Sequence, residues 1–296
     1  MDFELLKAVS RSFYLSMVWL PPPMRRGIAL GYMLARATDS VADTSSASEE
    51  MRLHVLQQMG RAVAGTLPQE ALPGLLDNLA GKMALAQNKA SEAALLRRFG
   101  DCLHLLENTP PAERLLIRKV LATIVEGQCW DLSFFRTQPS VQSDEQTLRY
   151  TYLVAGCVGA FWTQLGCLTM GESFCRAERK EEMEQAGIRY GQGLQLVNIL
   201  RDRAEDAARG RSYLCSSVWR WQSRAERYLA DGVDYASRLR SFRLRFTAML
   251  PALLGQKTLR LLAQMPGEER VKISRATVYA TMLEAAFRCL IPRCVS

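Results

Sequence analysis

Residues 150–171, YTYLVAGCVGAFWTQLGCLTMG, run for 22 residues without a charge, and how they are read decides the fold. That length is enough to cross a bilayer. The run contains four Gly, three Thr and a Gln, which make it a poor insertion sequence, and no other segment offers it a membrane partner. An apolar helix without a polar face belongs inside a large protein. The stretch therefore predicts a buried core helix.

Outward from it, Leu, Ala, Arg, Glu and Gln dominate, while runs of alternating Val, Ile, Thr and aromatics bounded by turns are missing. The expected fold class is all-α. Helices are predicted near 25–43, 48–65, 70–87, 90–107, 111–136, 144–170, 178–208, 216–231, 233–262 and 271–290. Breaks at Pro21–Pro23, Ser45–Ser48, Pro68, Pro110–Pro111, Pro139 and Gly210 read as helix stops, not flexible linkers. No domain boundary and no fixed-period repeat is visible, so a single domain over 1–296 is expected, and a helical solenoid is not.

Composition agrees with a soluble globular chain: 48% of its 296 residues are apolar and 23% charged, and 19 Gly and 11 Pro exclude collagen and low-complexity disorder. The N-terminal MDFELLKAV carries two acids where a leader would be basic, so a cytoplasmic location is expected. Eight scattered cysteines without a CxxC pair, and only His54 and His104 as imidazoles, argue against a disulfide framework or a zinc site. Cys294, third from the end in RCVS, falls one place short of a prenylation box. The net charge is +8, and 207–260 alone carries 11 Lys and Arg against three acids. Such a stretch is either a solvated helical face or a surface for an anionic partner: a phosphate-bearing ligand, a lipid surface or nucleic acid.

One chemical pattern occurs twice. Asp39 and Asp43 lie in ARATDSVADT, and Asp202 and Asp206 in NILRDRAEDAARGRSYL. Four residues is about one helical turn, so each pair presents two carboxylates on one face, which is destabilising unless a cation neutralises them. Magnesium fits: it prefers hard oxygens and is held by one or two carboxylates together with substrate phosphates. Two such pairs on separate helices predict a diphosphate platform bridged by several magnesium ions. Arg36 precedes Asp39 by three residues, Arg201 abuts Asp202 and Arg211 follows Asp206 by five, close enough to bind phosphate as well as balance charge. Glu178 and Glu182 repeat the spacing in the highly charged RAERKEEMEQ and are assigned no role.

With these motifs the chain resembles the squalene and phytoene synthases, which join two prenyl diphosphates head to head. The resemblance runs from Ser10 to about Leu290 through SRSFY at 10–14, YMLARATDSVAD at 32–43, YTYLVAGCVG at 150–159 and YGQGLQLVNILRDRAEDAARGRSYL at 190–214, in the family's order. YTYLVAG and ERVKISRATVY at 269–279 look more like the squalene branch. The resemblance implies an isoprenoid-synthase-type helical bundle around a central cavity.

It also implies roles. Asp39, Asp43, Asp202 and Asp206 would bind magnesium and through it the diphosphates of two substrates. Ser10, Arg11, Ser12, Arg36, Arg201 and Arg211 would contact phosphate or close a flap over it, supported by Tyr32, Gln195 and Asn198. Tyr150 corresponds to a tyrosine acting as acid or base near the departing diphosphate, where a phenol can donate to an oxyanion and its ring can stabilise a carbocation. Phe13, Val154, Val158 and Phe161 would line an apolar tunnel that excludes water. Arg270 and Lys272 sit where the family has basic residues near the NADPH-dependent second step. No GxGxxG follows a strand, which excludes a Rossmann site, but squalene synthases lack one too.

Two departures are visible: Thr38 and Thr44 flank the first acidic pair where many relatives have further acids, and Cys215 stands where a proline is usual. Neither removes a metal ligand. The resulting expectation is a magnesium-dependent farnesyltransferase that condenses two farnesyl diphosphates through a cyclopropyl diphosphate to squalene, with reduction by NADPH. The alternatives are a dehydrosqualene, phytoene or hydroxysqualene synthase without reduction and, in a different class, a basic helical nucleic-acid-binding module, which would leave both acidic pairs unexplained. Human-type squalene synthases end in a membrane anchor and this sequence does not, so any membrane contact is expected to be peripheral, through the basic 207–260 region. The sequence gives no oligomeric state.

Overall fold

The computed structural model describes residues 3–10, 12–264 and 271–290, with the side chains of Phe3, Ser12, Phe13 and Leu15 outside that description. Helices account for nearly all of it, and among the described residues no β-strand forms; an isolated parallel bridge links Ser140 to Ser212. Contacts gather the helices into two units, one from the chain up to Arg136 and one from Thr137 onward, with Trp19–Pro21 joining the second.

The first unit holds α1 (Phe3–Ser10), α2 (Ser12–Trp19), α3 (Pro22–Ala42), α4 (Glu49–Ala64), α5 (Leu72–Asn78), α6 (Ala90–Arg97), α7 (Phe99–Glu107) and α8 (Pro111–Phe135). α3 is its functional spine, packed against α4, α6, α7 and α8. Leu30, Met33, Leu34, Ala37 and Val41 recur at helical spacing and are buried, each large one contributing about 1.5–3 kcal/mol over exposure. The end of α3 is fixed from outside: Arg52 Nη1 donates to Ala42 O at 2.7 Å, supplying a donor for a carbonyl that the helix cannot satisfy itself. α4 begins at Ser48, whose hydroxyl accepts from the Met51 amide.

The second unit holds α9 (Asp144–Thr151), a π-helical turn (Tyr152–Gly156), α10 (Cys157–Met170), α11 (Lys180–Ala208), α12 (Val218–Arg238), α13 (Phe242–Gln264) and α14 (Arg275–Leu290). α11 is its axis, contacting α10, α12 and α13. The crossing with α10 is close enough that a Cβ on Gly159 would stand 1.9 Å from the Gly187 carbonyl oxygen, so only glycine fits there. Buried hydroxyls are satisfied across these helices: Thr163 Oγ1 and Tyr235 Oη lie 2.8 Å apart, and Tyr190 Oη donates to Ala248 O at 2.8 Å.

Several expectations change. No helix was expected before residue 25, yet α1 and α2 form there. The boundary predicted between the helices 216–231 and 233–262 does not fall at Gly232; α12 runs through it to Arg238, and α13 starts at Phe242. Gly232 is there for space, since a Cβ would meet the Tyr190 ring at 2.3 Å. The uncharged run is also not one regular helix covered all round. It starts in the last turn of α9, passes through the π turn and buries Leu153, Cys157, Ala160, Phe161 and Leu165, while Tyr152, Val158 and Leu168 stay exposed. By length and composition Asp144–Ser173 could cross a membrane, and 44% of its most apolar window is buried within the protein.

Candidate active site

In the first unit α3 delivers Arg36, Asp39 and Asp43 to its C-terminal turns. The Asp43 amide donates to Asp39 O at 2.9 Å, so the helical register holds across the pair and both carboxylates share a face. Arg36 stands between two acids, with Nη1 donating to Asp39 Oδ2 and Nη2 to Glu92 Oε1 of α6. Lys89 Nζ binds the same Glu92 oxygen at 2.7 Å. The guanidinium Nε is buried and unpartnered among the described residues. Burial would lower the Arg36 pKa, but Asp39 and Glu92 raise it, so it stays a permanent cation.

Asp39 shows the cost of this arrangement. Crowding by surrounding protein, then repulsion from Asp43, pushes its carboxyl up to about 7 against the pull of Arg36, although 43% of its side chain surface stays open. Glu92, buried on α6, has its carboxyl drawn below the usual value; burial opposes this, but Lys89 and Arg36 prevail. The two departures, Thr38 and Thr44, are both buried and turned onto α3 carbonyls, Ala35 O and Ser40 O, Thr38 from within the helix and Thr44 from two residues past its end. Thr44 also accepts from Gln87 Nε2 at 2.7 Å, so both threonines serve the packing around α3.

Beside Arg36 lies a cavity of about 280 Å³ lined by Ala8, Val9, Ser10, Tyr32, Arg36, Lys89, Ser91 and Glu92. It brings together three residues assigned from the sequence, Ser10, Tyr32 and Arg36, with three polar residues that were not and with Ala8 and Val9. Ser10 is buried with its hydroxyl turned back onto Leu6 O of its own helix at 2.5 Å, while Tyr32 Oη donates to Val9 O at 3.2 Å and so ties α1 to α3 at this wall. Lys89, Ser91 and Glu92 went unnoticed in NKASEA because no local spacing links them to Arg36, 56 positions from Glu92. Arg11 lies outside the described residues, as do the side chains of Ser12 and Phe13.

In the second unit α11 carries Gln195, Asn198, Arg201, Asp202 and Asp206. Arg201 forks onto its neighbour, Nε to Asp202 Oδ1 at 3.0 Å and Nη2 to Oδ2 at 2.6 Å, and that bonding raises its pKa. Asn198 Nδ2 donates to Gln195 Oε1 at 3.3 Å, one turn earlier. After α11, Gly210 takes φ 74° and the Arg211 amide returns to Asp206 O at 2.9 Å, folding the chain sharply after the second pair.

The turn then leads to Tyr213, whose ring stacks on Tyr150 with centroids 4.8 Å apart and whose carbonyl accepts from Thr147 at 2.7 Å. Tyr150 is therefore held at the end of α9 just before the π turn, an irregularity frequent at functional sites. Val154 is half-buried, Val158 exposed and Phe161 buried. Cys215, replacing the usual proline, donates to Asp144 Oδ1 at 3.3 Å. Glu182 is taken up by Arg238, consistent with no chemical role, and Glu178 sits in a separate 3-10 turn, not on the same helix. Lys272 is exposed, and Arg270 lies outside the described residues.

The acidic pairs fit magnesium by their chemistry. Each offers hard carboxylate oxygens one turn apart, and the raised Asp39 carboxyl marks a place where a further cation relieves charge repulsion. No cluster of three or more His, Cys, Asp or Glu suited to a metal forms among the described residues, so each pair would need other oxygens, such as those of a phosphate, to complete a shell. The described cysteines are free thiols.

A family model described as squalene/phytoene synthase matches residues 6–223. The chain is 30% identical over 209 residues to a bifunctional lycopene cyclase/phytoene synthase of Leptosphaeria maculans, covering 71% of this chain and 33% of that one. It is 24% identical over 218 residues to the squalene synthase of Saccharomyces cerevisiae, covering 73% and 45%. The chain thus spans about a third of the length of the first curated relatives it matches. Its fold is similar to that of TcSQS solved with the ligand E5700, with a TM-score of 0.72, 20% identity, and coverage of 97% of this chain and 87% of that one.

Proposed function

This chain belongs to the squalene/phytoene synthase family, and from that premise we propose that it is a magnesium-dependent prenyltransferase that condenses two farnesyl diphosphates head to head, through a cyclopropyl diphosphate, to squalene. The observation that carries the reading is the repeated acidic pair with an arginine already bound to it: Arg36 on Asp39 and Arg201 on Asp202. Magnesium on these carboxylates would supply the charge that draws a diphosphate away from an allylic carbon.

The chain's own residues do the rest. Arg36 and Arg201 have N–H donors beyond those bound to carboxylates to offer phosphate oxygens, and their raised pKa values keep them charged at any working pH. Glu92 accepts from the Arg36 guanidinium and is itself bound by Lys89. Tyr150, its ring fixed by Tyr213, offers a phenolic proton to the departing oxyanion and an aromatic face to the carbocation left behind. Val154 and Phe161 supply apolar surface on which water competes poorly with the second prenyl chain.

Reduction by NADPH is supported by the squalene synthase relatives, and of its two assigned residues only Lys272 is described. A second reading, a phytoene or dehydrosqualene synthase that stops without reduction, is favoured by the 30% identity to a phytoene synthase protein against 24% to a squalene synthase. Incubating the purified chain with farnesyl diphosphate and magnesium, with and without NADPH and with a metal-free control, tests both. Squalene only with NADPH supports the proposal, dehydrosqualene supports the second reading, and no metal-dependent consumption overturns both.

A further inference from the structure

The final described helix carries a surface that the proposed chemistry does not use. On α14 the buried positions are Thr281, Ala285 and Cys289, and they face α13. The opposite side carries Tyr279, Leu283 and Phe287, one turn apart, followed by Leu290, with 65, 74, 65 and 67% of their surfaces exposed. Ala276 and Ala280 fill the spaces between, so the outward face is apolar along about 20 Å of helix. A surface helix of a monomer normally turns charges outward. Here a contiguous apolar ridge is turned out instead, which marks an interaction site.

Charge identifies the occupant. The single acid of α14, Glu284, is bound by Lys257 and Arg288 at 2.8 Å each and lies to the side of the ridge. Lys272 and Arg275 are exposed at its beginning and Arg288 at its end. α13 runs antiparallel beside it: Lys257 donates to Thr281 Oγ1 at 2.9 Å, while Arg245 acts electrostatically on Cys289. Arg260, exposed one turn beyond Lys257, adds a further cation toward the start of α14.

We propose that α14 is a membrane-surface helix, laying Tyr279, Leu283, Phe287 and Leu290 into the headgroup boundary of an anionic bilayer while the cations at its two ends engage lipid phosphates. An apolar face rimmed by Lys and Arg is what such binding needs, since neither term alone gives stable attachment. A protein partner or a second copy would gain nothing from cations at both ends unless it were acidic, and the net charge of +8 makes a second copy repulsive. The proposal is independent of the reaction.

The test is co-sedimentation of the full chain with phosphatidylcholine vesicles, alone or with about 30% phosphatidylglycerol. Binding is expected to the anionic vesicles, at least about tenfold weaker to neutral ones, and weakened by high salt. The variant Leu283→Glu/Phe287→Glu should lose at least about tenfold in binding while keeping its circular dichroism, because both side chains are already exposed. Lys272→Glu/Arg275→Glu should weaken anionic binding without changing the neutral background. Equal affinity for both vesicles, no binding to either, or a concentration-dependent dimer that the Leu283/Phe287 variant abolishes would overturn it.

Discussion

The two acidic pairs have the same spacing and opposite support. On α11, Arg201 is locked to the residue beside it in the chain, so the contact would form wherever the helix forms. On α3, Arg36 reaches Asp39 locally but is anchored by Glu92, 56 positions away on α6, with Lys89 behind it. One pair is built by local sequence, the other by tertiary packing. A shared motif therefore does not imply a shared sensitivity, and substitutions should separate the two.

The largest effect is expected at the carboxylates themselves. Asp39→Asn and Asp202→Asn should each lower kcat by at least about 100-fold, the scale on which a lost charge-stabilising contact is felt, as measured by farnesyl diphosphate turnover. Asp39→Asn should leave the melting temperature unchanged or slightly higher, because a carboxyl pushed to about 7 is one that burial and Asp43 disfavour in its charged form. Full activity in one variant alone would mean that only one pair handles the diphosphate. Glu92→Ala comes next: releasing Arg36 should cost about 10- to 100-fold and raise the magnesium concentration needed for half-maximal rate, with Glu92→Gln intermediate. Unchanged magnesium dependence would show that Asp39 holds Arg36 unaided, and the contrast between the pairs would collapse.

The helix behind the second pair has its own weak point. Gly159→Ala forces a methyl into the Gly187 carbonyl and should destabilise the fold by about 1–3 kcal/mol or more, read in thermal unfolding, and should reduce activity with Asp202 intact. The smallest effect is a control on α14, which carries neither pair. Lys257, then Arg288, hold the Glu284 carboxyl below 4.5, so its stabilising contribution is complete above that value and lost as pH falls through the lower folded-state pKa. Glu284→Gln should flatten that part of the acid-unfolding curve, and a curve indistinguishable from the parent's would show that the contact contributes nothing.

The helices around both pairs were legible because helix formers, apolar periodicity and proline stops are local signals, and 111–136 and 178–208 were read to within about two residues at either end. Gly232 misled for a reason that the chain order hides: its partner is the Tyr190 ring, on another helix. The π turn was equally invisible, since YLVAG reads as ordinary helix, and it opens the stretch that supplies both Tyr150's neighbours and the partly exposed Val158. Glu92 sits in a segment with no motif.

What the sequence determined by itself is whatever lies within one or two helical turns: the all-α class, the carboxylate pairs sharing a face, and the arginines next to them, because helix geometry fixes those distances once the residues are helical. The tertiary structure alone decided that Glu92 holds Arg36, that Tyr213 stacks on Tyr150, that Gly159 and Gly187 let two helices touch, and that α14 turns its apolar ridge outward. Those are contacts between segments far apart in the chain, and their partners are selected by packing, which no local pattern encodes.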